Sequence, residues 1–162
     1  MGETTCQVCG RAIKANTGLI AHHGYKRPYD GWQTASCEGA RYVPYEVSCD
    51  RLREVVGMVK NYIASQEEAL VGFEASPPQT IIVYERRSSW GTEEKTEYTK
   101  PDDFDVKDRG YSYRSRIPRT YENAYSNRKY DYERNIRAAK VDLSIMERRL
   151  NEWKAIAVGV NQ

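Results

Sequence analysis

The chain of 162 residues sets 25 Lys and Arg against 23 Asp and Glu, a formal net charge of +2, which excludes binding to nucleic acid by bulk charge alone. With 40% hydrophobic and 30% charged residues, there is material for one ordinary domain, or for a small metal module and one larger, helix-rich body with a thin core. No run approaches the roughly 20 apolar residues that span a bilayer, and Met1 to Gly10 lacks the apolar stretch of a signal peptide.

A cytoplasmic protein without a membrane contact is therefore expected. There, four cysteines bind metal or stay free rather than pair. Met1-Gly2 is followed by Cys6 where a myristoylation signal wants Ser or Thr, which argues against lipidation.

Residues 1–47 are turn-rich and hold both histidines and three of the four cysteines. Cys6 and Cys9, in Cys-x-x-Cys spacing, put two thiolates on one tight turn, and Gly10 lets backbone amides face the sulfurs. Cys6-x2-Cys9-x12-His22 has the spacing of the first three ligands of a two-cysteine, two-histidine zinc finger. Leu19 stands where such a finger keeps a core leucine, so Gly18 to Tyr25 is expected to open as a short helix that presents His22.

The second finger histidine is absent. His23 is adjacent to His22, and neighbouring side chains on a helix diverge by about 100°, so one of the two is expected at the ion. The finger spacing favours His22. Cys37 is the nearest remaining soft donor and completes a set of Cys6, Cys9, His22 and Cys37, for which Zn2+ is the fitting ion. Against this stands the plainer reading of free buried cysteines. Cys49, one turn before Leu52, reads as a core thiol. In the alternative it ligates, all four donors are cysteines and both histidines are free.

The motif does not read as catalytic. A deaminase needs His-x-Glu ahead of Pro-Cys-x-x-Cys, and an HNH-type nuclease needs a metal-binding histidine downstream, whereas no histidine follows His23. A structural ion is expected, folding a module too small to fold alone.

The body, residues 48–162, opens with a helix over about 48–75. Ser48 is the candidate N-cap, and Asp50 suits the positive helix end. Apolar residues at Leu52, Val55, Val56, Val59, Tyr62, Ile63, Ala69, Leu70 and Phe73 follow in steps of three and four, a heptad seam with Gln66 as its polar interruption. Gly57 either weakens this helix or admits a close neighbour. Pro77 and Pro78 end it. Residues 79–100 read as a β-hairpin, with Thr80 to Tyr84 and Lys95 to Thr99 as strands.

Residues 100–119, with Pro101, Gly110 and Pro118, read as loop. A last helix over about 120–158 carries the seam Tyr125, Tyr132, Ile136, Ala139, Leu143, Met146, Leu150, Trp153 and Ala157, a spacing that fits a coiled coil. The expected fold is α+β and mostly α: a zinc-finger-like module plus an elongated antiparallel coiled-coil hairpin of helices with an inserted β-hairpin. The second helix outruns the first. A homodimer or the docked metal module would cover the excess seam.

Three stretches share a further pattern: Cys6-Gln7-Val8-Cys9-Gly10-Arg11, His22-His23-Gly24-Tyr25-Lys26-Arg27-Pro28, and Ser36-Cys37-Glu38-Gly39-Ala40 followed by Tyr42-Val43-Pro44-Tyr45-Glu46. Together they resemble small uncharacterised proteins encoded by bacteriophages and mobile elements. The resemblance covers about the first 50 residues. It implies a zinc-finger-like fold, a phage or plasmid origin and a host-cell cytoplasmic location, and it names no substrate.

Charge is uneven along the second half. Arg109, Arg114, Arg116, Arg119, Arg128, Lys129, Arg134 and Arg137 outnumber Asp108, Glu122, Asp131 and Glu133, with Tyr111, Tyr113, Tyr121, Tyr125, Tyr130 and Tyr132 interleaved. Arginine for phosphates and tyrosine for stacking is the composition of a nucleic-acid surface. Arg114, Arg116, Arg119, Arg128 and Lys129 are the candidate phosphate contacts, and Tyr111 and Tyr113 the candidate stacking groups. The same residues also suit a solvated helix face, or a protein partner such as a host enzyme or defence complex that the chain would inhibit.

Overall fold

The computed structural model describes residues 4–16, 18–24, 36–86, 93–104 and 118–154. The fold is α+β. In chain order it runs β1 (Thr4–Thr5), β2 (Ala12–Ile13), β3 (Ala15–Asn16), β4 (Leu19–Ile20), α1 (Asp50–Ala75), β5 (Thr80–Arg86), β6 (Glu93–Thr99) and α2 (Tyr121–Glu152). The strands pair as three two-stranded antiparallel sheets, β1 with β2, β3 with β4 and β5 with β6. Among the described residues no helix is long and apolar enough to cross a membrane.

Two compact units divide the chain, one of Met1–Asn61 with Lys140–Gln162 and one of Tyr62–Ala139. The boundary expected between residues 47 and 48 is not where these units part. Each helix gives one segment to each unit.

In the first unit the expected finger helix over Gly18 to Tyr25 is replaced by a strand. Gly18, at φ +80°, turns β3 back onto β4, so that Asn16 pairs with Leu19. A left-handed residue favours a hairpin turn here over the start of a helix. The strand exposes Leu19 and buries Ile20 to 1%, so Ile20 takes the core position expected of Leu19. Ile20 joins Cys6, Val8 and Val55 in one cluster, against which Ile13, Cys37, Val59 and Met146 pack. The N-terminal module thus shares its core with segments of α1 and α2.

The start of α1 is capped twice. Ser48 Oγ accepts the Asp50 N–H at 3.0 Å, as an N-cap serine does. The buried Gln7 side chain takes the Leu52 N–H at 3.3 Å and donates to Val43 O at 2.8 Å. Nothing lies within 4 Å of where a Cβ on Gly57 would stand. Lys60 pairs with Glu147 at 2.7 Å.

The second unit is built around tyrosine. Ile81, Tyr121, Ala124 and Tyr125 form its core, with Phe73, Val83, Tyr98 and Phe104 against them. The Phe73 and Tyr125 rings stack at 4.6 Å. Strand β5 alternates, so Ile81 is buried and Tyr84 exposed. Three of the seam residues, Val55, Val59 and Met146, belong to the first cluster, and two more, Phe73 and Tyr125, to the second. No contact among the described residues establishes a continuous coiled coil.

Candidate metal centre

Cys6, Cys9, His23 and Cys37 bring one donor atom each to within 4.8 Å of one another and could hold a metal ion. The Cys6 and Cys37 sulfurs stand 3.9 Å apart, and Cys9 Sγ lies 3.2 Å from His23 Nε2. A tetrahedral ion with metal–sulfur bonds of about 2.3 Å sets sulfurs about 3.8 Å apart, which the Cys6–Cys37 pair matches.

Local structure explains each donor. Between β1 and β2 the chain makes a tight turn in which Gly10 N–H donates to Cys6 O at 3.1 Å and Cys6 N–H to Arg11 O at 3.0 Å. Gly10 holds φ +73° there, which a side chain would strain. Cys37 enters from a second turn, where its N–H donates to His23 O at 2.8 Å and Ala40 N–H to Cys37 O at 2.9 Å. Gly39 lies so close to the first turn that a Cβ on it would stand 2.4 Å from Cys6 Sγ.

His23 is buried, and its Nδ1 donates to Ala21 O at 2.8 Å. That bond places the proton on Nδ1 and leaves the Nε2 lone pair facing the sulfurs, the usual support of a ligating histidine. His22, the expected ligand, is outside the cluster. Its exposed ring sits 3.1 Å from Ser36 Oγ through Nδ1 and accepts from Arg41 Nε at 2.8 Å through Nε2. β4 ends at Ile20, and His22 and His23 follow it on irregular chain rather than on a finger helix, so the spacing that favours His22 no longer applies. Arg41 reaches His22 from a left-handed backbone, φ +65°. Cys49 is buried and outside the cluster, with Arg53 Nη2 at 3.4 Å from its sulfur.

The two turn cysteines differ electrostatically. Burial pushes the Cys6 thiol up to about 12, with the neighbouring Cys37 and Cys9 sulfurs adding to it, against hydrogen bonds from the Cys9 and Val8 backbone. At the exposed Cys9, partial burial is outweighed by hydrogen bonds, first from the Arg11 backbone and guanidinium, which hold it down to about 6. A bound cation would draw the proton from both. Three thiolates exceed a divalent charge by one, and Arg11 beside Cys9 answers that excess.

Four residues that support this cluster have no signal in the local sequence. Arg149 Nη1 donates to Val8 O at 2.8 Å and Nη2 to Cys6 O at 2.9 Å. Glu46 accepts the Thr5 N–H at 3.0 and 3.1 Å through its two oxygens. Gln7 and Gly39 complete the set.

Of the candidate nucleic-acid contacts, Arg114, Arg116, Tyr111 and Tyr113 lie outside the described residues. Arg119 and Arg128 are exposed. Lys129 is paired with Glu74 at 2.5 Å, a bond that raises its pKa.

No family model matches the chain, no curated protein matches it, and no solved structure matches it.

Proposed function

We propose that the chain is a zinc-containing, non-catalytic binding protein that contacts nucleic acid. Three thiolates and one imidazole at tetrahedral spacing suit Zn2+ best. With all four positions filled by side chains, no site is left for a reacting water, and the ion is structural. The phage or mobile-element origin rests on the resemblance of the first 50 residues alone.

One observation carries the nucleic-acid reading. Between residues 118 and 139 the most exposed charged residues are the arginines Arg119, Arg128, Arg134 and Arg137, of which Arg134 is paired with Asp131 at 3.2 Å. The acids of that stretch, Glu122, Asp131 and Glu133, are less exposed as residues, and Asp131 and Glu133 are paired with Arg134 and Lys129. Guanidinium groups bind phosphate through a planar fork. Titration of labelled DNA and RNA at rising salt tests it. Binding should weaken steeply, and replacing Arg128 or Arg137 by Ala should reduce the salt slope by about one each. Absence of binding at low salt removes the reading.

A contact with a protein partner instead would survive moderate salt.

A further inference from the structure

Arg149 lies 141 residues after Val8, yet its side chain closes the Cys6–Cys9 turn. Both arms of its guanidinium are used, one on Val8 O and one on Cys6 O. The group lies 4.7 Å from the centroid of the Tyr45 ring. The Tyr45 hydroxyl donates back to the Arg149 carbonyl, and Trp153 Nε1 donates to Tyr45 O at 2.6 Å. A Cβ on Gly10 would stand 3.2 Å from Arg149 Cζ, so the turn is shaped to admit this guanidinium as well as to bend.

We infer that Arg149 is a latch, coupling occupation of the metal site to docking of the C-terminal part of α2. The inference rests on the metal reading above. A planar fork needs two acceptors at a fixed separation. The Cys6 and Val8 carbonyls meet that demand while the turn is closed, and the turn is closed when the Cys6 and Cys9 sulfurs converge on one ion. An opened turn lets the two carbonyls diverge, and Arg149, Tyr45 and Trp153 lose their common anchor. Linkage makes the effect reciprocal: whatever factor the ion adds to docking, the docked Arg149 adds to the affinity for the ion. An arginine that merely stabilised the fold would weaken zinc binding no more than an equally destabilising substitution elsewhere in the unit.

The full chain should be titrated with zinc against a chromophoric chelator, as wild type, Arg149→Lys and Tyr45→Phe. Amide hydrogen exchange of residues 147–153 should be followed with and without zinc. Lysine keeps the charge and loses the fork, so Arg149→Lys should weaken zinc binding by about 10–100-fold. Tyr45→Phe keeps the ring under the guanidinium and should weaken it less, in the same direction. Zinc removal from wild type should speed exchange at 147–153 as well as in the turn.

The latch is overturned if Arg149→Lys binds zinc as tightly as wild type, or if exchange at 147–153 ignores zinc. Should Arg149→Lys fail to fold, Tyr45→Phe and the wild-type exchange decide the matter. A wild type that takes up no zinc removes the metal reading and the latch with it. A wild type that binds zinc beside equally tight variants removes the latch alone.

Discussion

His23 Nε2 lies 3.2 Å from the Cys9 sulfur, and the other nitrogen of the same ring is tied to Ala21 O at 2.8 Å. The adjacent His22 spends its two ring nitrogens on Ser36 and Arg41. Two neighbouring histidines therefore make opposite predictions. His23→Ala removes one of four donors and should weaken zinc binding by at least about 100-fold. His22→Ala should leave the affinity near that of wild type. A zinc competition titration of both variants decides. The reverse order would return His22 to the site.

Gly39→Ala tests how tightly the two turns approach. Its Cβ would stand 2.4 Å from Cys6 Sγ and 3.3 Å from Val8 Cγ2. Both neighbours are buried core groups, so neither yields cheaply. Overpacking of this kind costs about 1–3 kcal/mol, and here it should also weaken zinc binding by displacing a donor. Gly18→Ala is the matched control, since nothing lies within 4 Å of its Cβ position. Its cost of about 1 kcal/mol is backbone strain at φ +80°, and zinc affinity should stay unchanged. Denaturant midpoints and zinc titration together separate packing against the sulfur from strain in the backbone.

Glu46 links the first strand to the segment before α1 by accepting the Thr5 N–H through both oxygens. Burial works against its charge, but the Thr5 hydrogen bonds prevail and hold its carboxyl below the usual range. A depressed folded pKa adds stability above the unfolded value, near 4.5. That stability is lost as pH falls through the folded value. Glu46→Gln should cost about 1 kcal/mol at neutral pH. The gap between wild type and variant should close below pH of about 4.5. Protonation of the metal donors affects both proteins alike and cancels in the difference. A gap that persists in strong acid would contradict the assignment.

Much of the fold is legible because its signals are local. The apolar steps from Leu52 to Phe73 predict α1, Pro77 and Pro78 end it, and the β-prone runs around Ile82 and Thr96 predict the hairpin of β5 and β6. Cys6, Cys9 and Cys37 are singled out by spacing, and the structure places them together. The choice between the histidines is not legible in the same way. It turns on whether Gly18 begins a helix or reverses a strand, and a finger-like spacing says nothing of φ. Arg149, Gln7 and Glu46 act on backbone groups across the fold, and such partners leave no periodicity in sequence. The regular α2 seam signals burial without naming what covers it. Met146 packs against the cluster of Cys6, Val8, Ile20 and Val55, and Tyr125 stacks on Phe73, so one stripe serves two cores.

Tyr125 offers a test in the second unit. Its ring is buried, stacked on Phe73 at 4.6 Å and met by the Phe104 ring at 5.1 Å. Its hydroxyl has no hydrogen-bond partner among the described residues. Burial pushes the phenol pKa up, with nearby Glu74 adding to it, so the buried group stays protonated and neutral. An unpaired buried hydroxyl costs about 1–3 kcal/mol. Tyr125→Phe keeps the aromatic stack and deletes the orphan atom, and should raise stability by about 1 kcal/mol. Tyr121→Phe should do the opposite, because its hydroxyl donates to Pro78 O at 2.6 Å and deletion leaves that carbonyl without this donor. Chemical denaturation of the two variants beside wild type reads both signs. A loss of stability in Tyr125→Phe would mean that its hydroxyl is satisfied in solution, and that this core is held by a polar contact as well as by stacked rings.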